Sequence, residues 1–150
     1  MSSMPEPVME WQKFAQLSAA ALYELLRFRQ GIFVVEQASP YPDLDGLDQQ
    51  AWHLLLRVER GLAGYTRLIP RPLRIGRVAV AAGLRRQSLG RRLMDETLLL
   101  CRAHYPGQPV VLTAQSHLVP FYRGYGFEPT GEPFDDFGVA HVDMRLPPSP

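Results

Sequence analysis

Lysine is almost missing from this chain: Lys13 is the sole one, and arginine carries the rest of the positive charge. Phosphate loops of the nucleotide-hydrolysing kind place a lysine in a glycine-rich turn, so that class is excluded. Cys101 is the single cysteine, which rules out an intrachain disulfide and agrees with a reducing compartment. It stands among Leu98, Leu99 and Leu100, the setting of a buried thiol acting as a small hydrophobe and not of a nucleophile. No apolar run reaches membrane-spanning length, and the opening Met-Ser-Ser-Met-Pro-Glu-Pro lacks the basic stretch and apolar core of a secretory signal. A cytoplasmic protein with no membrane partner is the expectation. Net charge is only +1, so nothing global draws the chain to nucleic acid. The segment around Gly46 fails as a calcium loop, because its first and twelfth positions would be Tyr41 and Trp52. No histidine has a partner at metal-ligand spacing, and no metal is expected.

What is present suffices for one compact domain: 150 residues, 46% of them hydrophobic, with no repeat and no internal linker. The domain is expected to span 1–150, with an ordered core over 8–146 and mobile proline-rich ends at 1–7 and 147–150. Met9 to Phe14 reads as a first strand. Ser18 can cap a helix whose face carries Leu22, Leu25 and Leu26 and runs to Arg29 or Gln30. Arg29 is next on that apolar face, where a guanidinium is costly unless paired, and Glu36 is the nearest downstream carboxylate. Arg29 and Glu36 are therefore expected to approach each other or share a polar cleft; the alternative is that Arg29 snorkels past the leucines and Glu36 is solvated. Tyr41 to Gln50 is a polar turn-rich loop whose Asp43, Asp45 and Asp48 either attract a cationic amine or form a solvated acidic turn. Trp52 to Glu59 and Leu62 to Ile69, around Arg60-Gly61, read as a hairpin. Leu73 to Val80, Pro109 to Gln115 and Val139 to Leu146 read as further strands, and Ser116 to Gly126 as a short helix.

The densest signal is Arg74-Ile-Gly-Arg-Val-Ala-Val80, a short glycine-containing loop, then Arg85-Arg-Gln-Ser-Leu-Gly90 leading into Arg91-Arg-Leu-Met94. A β-prone run feeds a helix whose start carries arginines where acids are favoured. Free main-chain amides and the positive end of the helix dipole already attract anions there, so Arg85, Arg86, Arg91 and Arg92 add a charge that an anion would offset. Gly90 allows close approach to the backbone, and a phosphate or pyrophosphate fits; a solvated basic helix start fits equally well. A second strand-to-helix unit, Pro109 to Gln115 and then Ser116 to Gly126, would set a mononucleotide-like crevice beside the basic turn.

Together, Val78-Ala-Val80, Arg85-Arg-Gln-Ser-Leu-Gly90, Phe121-Tyr122 and Gly126-Phe127 resemble the GCN5-related N-acetyltransferase (GNAT) superfamily, whose loop pattern is Gln/Arg-x-x-Gly-x-Gly/Ala. Serine replaces the first glycine at Ser88, and Gln115 stands where many members carry asparagine. Arg29-Gln-Gly-Ile-Phe33-Val-Val-Glu36-Gln37 with Pro42-Asp-Leu-Asp45 resembles the ElaA-type branch, so the likeness runs from Trp11 to Arg145. It implies an α/β (α+β) GNAT fold: a mixed, mainly antiparallel twisted sheet of about six or seven strands flanked by helices, with a V-shaped splay between the two central parallel strands.

It implies acetyl-coenzyme A as cofactor, held by Val78, Ala79, Val80, Arg85, Arg86, Gln87, Ser88, Leu89, Gly90, Arg91, Gln115 and Tyr122. A strand amide near Val78 to Val80 would polarise the thioester carbonyl, and Tyr122 would protonate the departing thiolate. Glu36 is the candidate base, with His117 and His141 as rivals. Arg29, Phe33, Glu36, Gln37 and His141 are the candidate acceptor contacts. The expected function is acetyl transfer to a primary amine of a small molecule or peptide by direct attack in a ternary complex. A non-catalytic acyl-coenzyme A sensor is the alternative. Binding of nucleic acid is disfavoured because the arginines are neither spread along a face nor interleaved with aromatics. A homodimer through a strand edge or helix is left open.

Overall fold

The computed structural model describes residues 6–59 and 61–148; Arg60 and the extreme ends, on which most of the expectation of mobile tails falls, lie outside the described residues. The elements in chain order are β1 (Val8–Lys13), α1 (Ala19–Gln30), a single π-helical segment (Gly31–Glu36), β2 (Trp52–Val58), β3 (Gly61–Ile69), β4 (Leu73–Val80), α2 (Leu89–His104), β5 (Val110–Gln115), α3 (Val119–Arg123), β6 (Glu128–Pro129), β7 (Phe134–Asp136) and β8 (Val139–Leu146). The strands form one sheet in the order β1-β2-β3-β4-β5-β8-β6, with β7 also on β8. Every pairing is antiparallel except β4 with β5, the pair joined through α2. The sheet has eight strands against an expected six or seven; the short β6 and β7, which no sequence run marked, are too brief to show an alternating pattern.

Helices cover both faces of the sheet's first half, which explains the unbroken Leu54-Leu55-Leu56 run in an antiparallel strand. Leu54 and Leu56 join Leu89 and Leu93 on the α2 side, whereas Leu55 joins Leu25 and Tyr65 on the α1 side. Close seating of α2 depends on Gly64, where an added Cβ would lie 3.1 Å from Leu93 Cδ1 and 3.4 Å from the Ala79 carbonyl oxygen. A second cluster under β4, β5 and β8 contains Ile75, Met94, Leu98, Leu112, Phe127 and Met144. Cys101 belongs to it, and burial pushes its thiol up to about 11, as the leucine-rich setting implies.

Local chemistry sets the element ends. Ser18 Oγ accepts from the Ala21 amide at 3.0 Å, the cap expected of α1. Helix α2 begins at Leu89, so Arg85 and Arg86 belong to the loop and not to the first turn. The expected helix over Ser116 to Gly126 is a 3-10 turn, Ser116–Leu118, followed by five residues of α3 with Pro120 in its first turn.

Candidate acyl-transfer crevice

Strands β4 and β5 share only three rungs, Leu73 with Val110, Arg74 with Val111 and Ile75 with Leu112. Beyond them the strands part, leaving main-chain edge groups of both facing a gap that no ladder closes. The cause is visible in β4. Tyr65 pairs with Ala79 while Arg67 pairs with Gly76, so β4 carries one extra residue, and Arg77 there has a left-handed φ of 54°. Such a bulge bends its strand, here away from β5. The gap opens into a cavity of about 380 Å3 with Ile75, Val78, Leu112, Gln115, Tyr122 and His141 among its walls.

Past the C-terminal end of β4 lies the arginine-rich loop; of the expected cofactor residues Val78, Gln115 and Tyr122 line the cavity, whereas Ala79, Val80 and Arg85 to Arg91 lie beyond its walls. No side chain caps α2, whose N-cap residue Ser88 is left-handed at φ 62°, and Arg86 is left-handed at φ 71°. The helix rule leaves the first-turn amides without intrahelical acceptors, so an anion finds both donors and dipole there. Arg86 and Arg91 are exposed, and among the described residues neither has a carboxylate within ion-pair distance. Arg85 is fixed: its Nε donates to the Val80 carbonyl at 3.0 Å and its Nη1 lies 2.7 Å from Glu36 Oε2. Leu89 is buried beneath the loop in the α2 cluster, so only its main chain faces outward, and Ala79 is likewise buried. A Cβ on Gly90 would meet only Phe121 Cζ, at 4.0 Å. These features suit a diphosphate: open amides, cations without partners and little bulk.

The expected approach of Arg29 to Glu36 is not what the chain does. Arg29 is fully buried, its Nε donating to Asp43 Oδ2 at 2.9 Å and its Nη1 to Asp48 Oδ1 at 2.6 Å, while Glu36 is half exposed on Arg85. Sequence proximity misled here, because the Tyr41–Gln50 loop folds back under the sheet and supplies the carboxylates. That loop is correspondingly neither a solvated acidic turn nor an open attractor for cations. Asp43, Asp45 and Asp48 are shared among the three guanidiniums of Arg29, Arg67 and Arg77. Burial works to raise Asp45, but its hydrogen bond to Arg67 and the charges of Arg67 and Arg77 prevail and bring it down to about 2. Arg77 donates to Asp43 Oδ1 at 2.9 Å and to the Asp43 carbonyl at 3.0 Å, so the network fastens the bulge that opens the crevice.

The network ends on His53 and Tyr65. His53 Nε2 lies 2.9 Å from the Asp48 carbonyl, which can only accept, so Nε2 carries the proton and Nδ1 receives the Tyr65 hydroxyl at 2.6 Å. Burial lowers the His53 value, which agrees with a neutral ring.

One end of the cavity is aromatic. Phe33 and Phe137 lie 6.5 Å and 5.9 Å from the Tyr41 ring, and Phe134 stacks on His141 at 6.3 Å. Phe33, Gln37 and His141 line the crevice; Arg29 and Glu36 do not. His117 is not among the lining residues either. The Nδ1 of His141 lies 2.8 Å from the Val139 carbonyl, so it donates, and the Nε2 lone pair stays free in the neutral ring. Phe137 and Gly138 form the two-residue turn between β7 and β8, both with positive φ, 51° and 85°. Asn-Gly is the usual choice there, and a phenylalanine costs about 1–3 kcal/mol of backbone strain.

The acetyltransferase (GNAT) domain family matches residues 27–147. The chain belongs to this family. It is similar to protein ElaA of Escherichia coli, with 40% identity over 91% of this chain and 95% of that protein. A UPF0039 protein of Synechocystis is 38% identical over 93% of this chain and 96% of its own length. The crystal structure of Escherichia coli ElaA superposes with a TM-score of 0.87 at 39% identity, covering 93% of this chain and 99% of that one. An acyl-CoA N-acyltransferase from Pseudomonas aeruginosa gives 0.90 at 34% identity, covering 94% and 99%. The mixed, mainly antiparallel sheet with flanking helices is thus the GNAT fold. Among the described residues no helix is long and apolar enough to cross a membrane.

Within this GNAT framework, sequence reasoning missed Arg67, Arg77, Tyr41, Phe134 and Phe137. Gly76 inside a strand was a usable signal for the bulge beside Arg77. Nothing local marks Phe137, because Asp-Phe-Gly lacks the usual hairpin-turn residues.

Proposed function

We propose that the protein acetylates a primary amine of a small molecule or peptide, using acetyl-coenzyme A in a ternary complex and acting in the cytoplasm. What carries this reading is one juxtaposition: β4 parts from β5 beside a cavity that Tyr122 lines, and runs on through residues 81–88 into an uncapped, arginine-flanked helix start whose Gly90 lies next to Phe121, the neighbour of Tyr122. The main-chain amides of Arg86 to Arg91 and the guanidiniums around them would hold the diphosphate, with the β4 edge at Val78 to Val80 and the Gln115 amide beside the rest.

Acetyl-coenzyme A supplies an activated acyl thioester when bound, so the acceptor N–C bond forms as the C–S bond breaks, nitrogen losing a proton and sulfur gaining one. The edge at Val78 offers amide donation toward developing negative charge on the carbonyl oxygen. His141, with Nδ1 committed to a carbonyl, offers its Nε2 lone pair for the acceptor's proton. Glu36 is spent on Arg85 and does not line the crevice, so it is not assigned the base role. Burial pushes the Tyr122 phenol up to about 12, which keeps it neutral and donating. The same desolvation raises the leaving thiol, so the neutral Tyr122 phenol donates a hydrogen bond to the leaving sulfur and can hand over its proton. Ile69, Ile75, Leu112 and Leu118 supply apolar patches between the polar groups of the walls.

Thiol release from acetyl-coenzyme A in the presence of a panel of amines tests the reading, and binding without release assigns a sensor instead. Tyr122→Phe keeps the ring and removes the donor. Its turnover is expected to fall on the order of 100-fold with cofactor affinity by calorimetry nearly intact; unchanged turnover removes Tyr122 from the mechanism.

A further inference from the structure

We propose that the acceptor end of the crevice takes a monoamine carried on a flat apolar ring, in preference to a polyamine or a lysine-rich peptide. This rests on the acyl-transfer reading above and names its substrate class. Phe33 from the π-helical segment, Tyr41 from the following loop, and Phe134 and Phe137 from the β7–β8 hairpin line one cavity. Three separate pieces of chain thus converge on it with rings, a lining suited to a planar apolar body.

Phe137 is the telling residue. It occupies a left-handed turn position that glycine or asparagine fills without strain, and it remains 51% exposed. A strained, half-exposed ring whose aromatic contact among the described residues is one edge-to-face meeting with Tyr41 does little for the fold. A ligand that covers it accounts for both costs.

Charge narrows the class further. Asp136 is the sole carboxylate among the lining residues, while Arg67, Arg74 and Arg77 line the same cavity. Asp43, Asp45 and Asp48, which would otherwise draw a polycation, are each held by guanidinium groups. One carboxylate can meet one ammonium, and further positive charge on the acceptor faces Arg74, the lining guanidinium that has no ion pair among the described residues. The rings are not a cage for the ammonium itself. Arg77 already lies over the Tyr41 ring at 4.8 Å, and a cation held on a ring face keeps the proton that acyl transfer must remove. The whole crevice measures about 380 Å3 and would also have to admit the thioester arm, so the room left for the acceptor suits a compact amine.

The test uses the full-length protein with saturating acetyl-coenzyme A and four acceptors: 2-phenylethylamine, n-butylamine, spermidine and a short oligolysine peptide. The expected result is a kcat/KM for 2-phenylethylamine about tenfold or more above each of the others. Phe137→Gly should raise the KM for 2-phenylethylamine about tenfold without lowering the melting temperature or the coenzyme A affinity, since glycine suits the left-handed turn. A preference for spermidine or oligolysine, an unchanged KM in Phe137→Gly, or a lowered melting temperature that marks the ring as structural would each overturn the proposal. Saturation-transfer NMR of 2-phenylethylamine on the coenzyme A-saturated protein reads the pocket without turnover. Binding there with no thiol release supports the pocket and counts against the transferase; absence of both on protein that still binds coenzyme A overturns the pocket.

Discussion

Arginine gathers in two places, under the bulge of β4 and at the head of α2, and does opposite things at each. Beside β4 and under α1, Arg29, Arg67 and Arg77 are buried against Asp43, Asp45 and Asp48, the three charges of each sign cancelling. At the start of α2, Arg86 and Arg91 are exposed and have no acidic partner among the described residues, and Arg85 has only Glu36. The first set is architecture, because a buried guanidinium must be matched by carboxylates or the fold fails. The second set is a standing positive potential beside open amides, which an arriving anion can use. Burial and pairing, and not residue type, separate a fastening from a binding site.

Breaking the buried set should have the largest effect. Arg29→Ala leaves Asp43 and Asp48 facing each other without their shared guanidinium, and is expected to cost about 3–5 kcal/mol of stability, read by denaturant unfolding. A cost below about 1 kcal/mol would mean that the network is not structural. On the open set, Gly90→Glu adds a negative charge at the anion site while the fold tolerates a Cβ there, Phe121 Cζ being 4.0 Å away. Coenzyme A affinity by calorimetry should fall roughly 100-fold with stability little changed; normal affinity would move the phosphate site elsewhere.

Smaller effects sharpen the same contrast. Ser88→Gly relieves a left-handed serine and should stabilise the protein by about 1 kcal/mol in thermal unfolding, without loss of coenzyme A binding. Loss of binding would show that the hydroxyl itself is a ligand. Glu36→Gln removes the lone carboxylate holding Arg85 and should tighten coenzyme A by a factor of about two to five at low salt, the gain fading as salt rises. Weaker binding in that variant would mean that Glu36 orients Arg85 for the ligand instead of competing with it.

Much of the fold was legible because its signals are local. Strand β8 and the Leu73–Val80 strand fall where the alternating and apolar runs place them, and Ser18 caps α1 as its residue type implies. The arginine-rich turn was legible for the same reason, its loop, helix start and charge lying within one stretch of sequence. The aromatic end of the crevice was not. Arg29 was correctly expected to need a partner, yet the partner came from a loop that sequence distance ranked second. Phe33, Tyr41 and Phe137 meet only after α1, the following loop and the last hairpin have packed.

By itself, then, the sequence determined the order of elements, the basic turn at the head of α2 and a core for one domain, since propensity, capping and periodicity act over a few residues. Only the tertiary structure decided which carboxylates neutralise which arginines, how far β4 parts from β5, and which rings gather at one end of the crevice. Those depend on groups brought within a few ångströms from distant parts of the chain, where burial sets the strength of every charge.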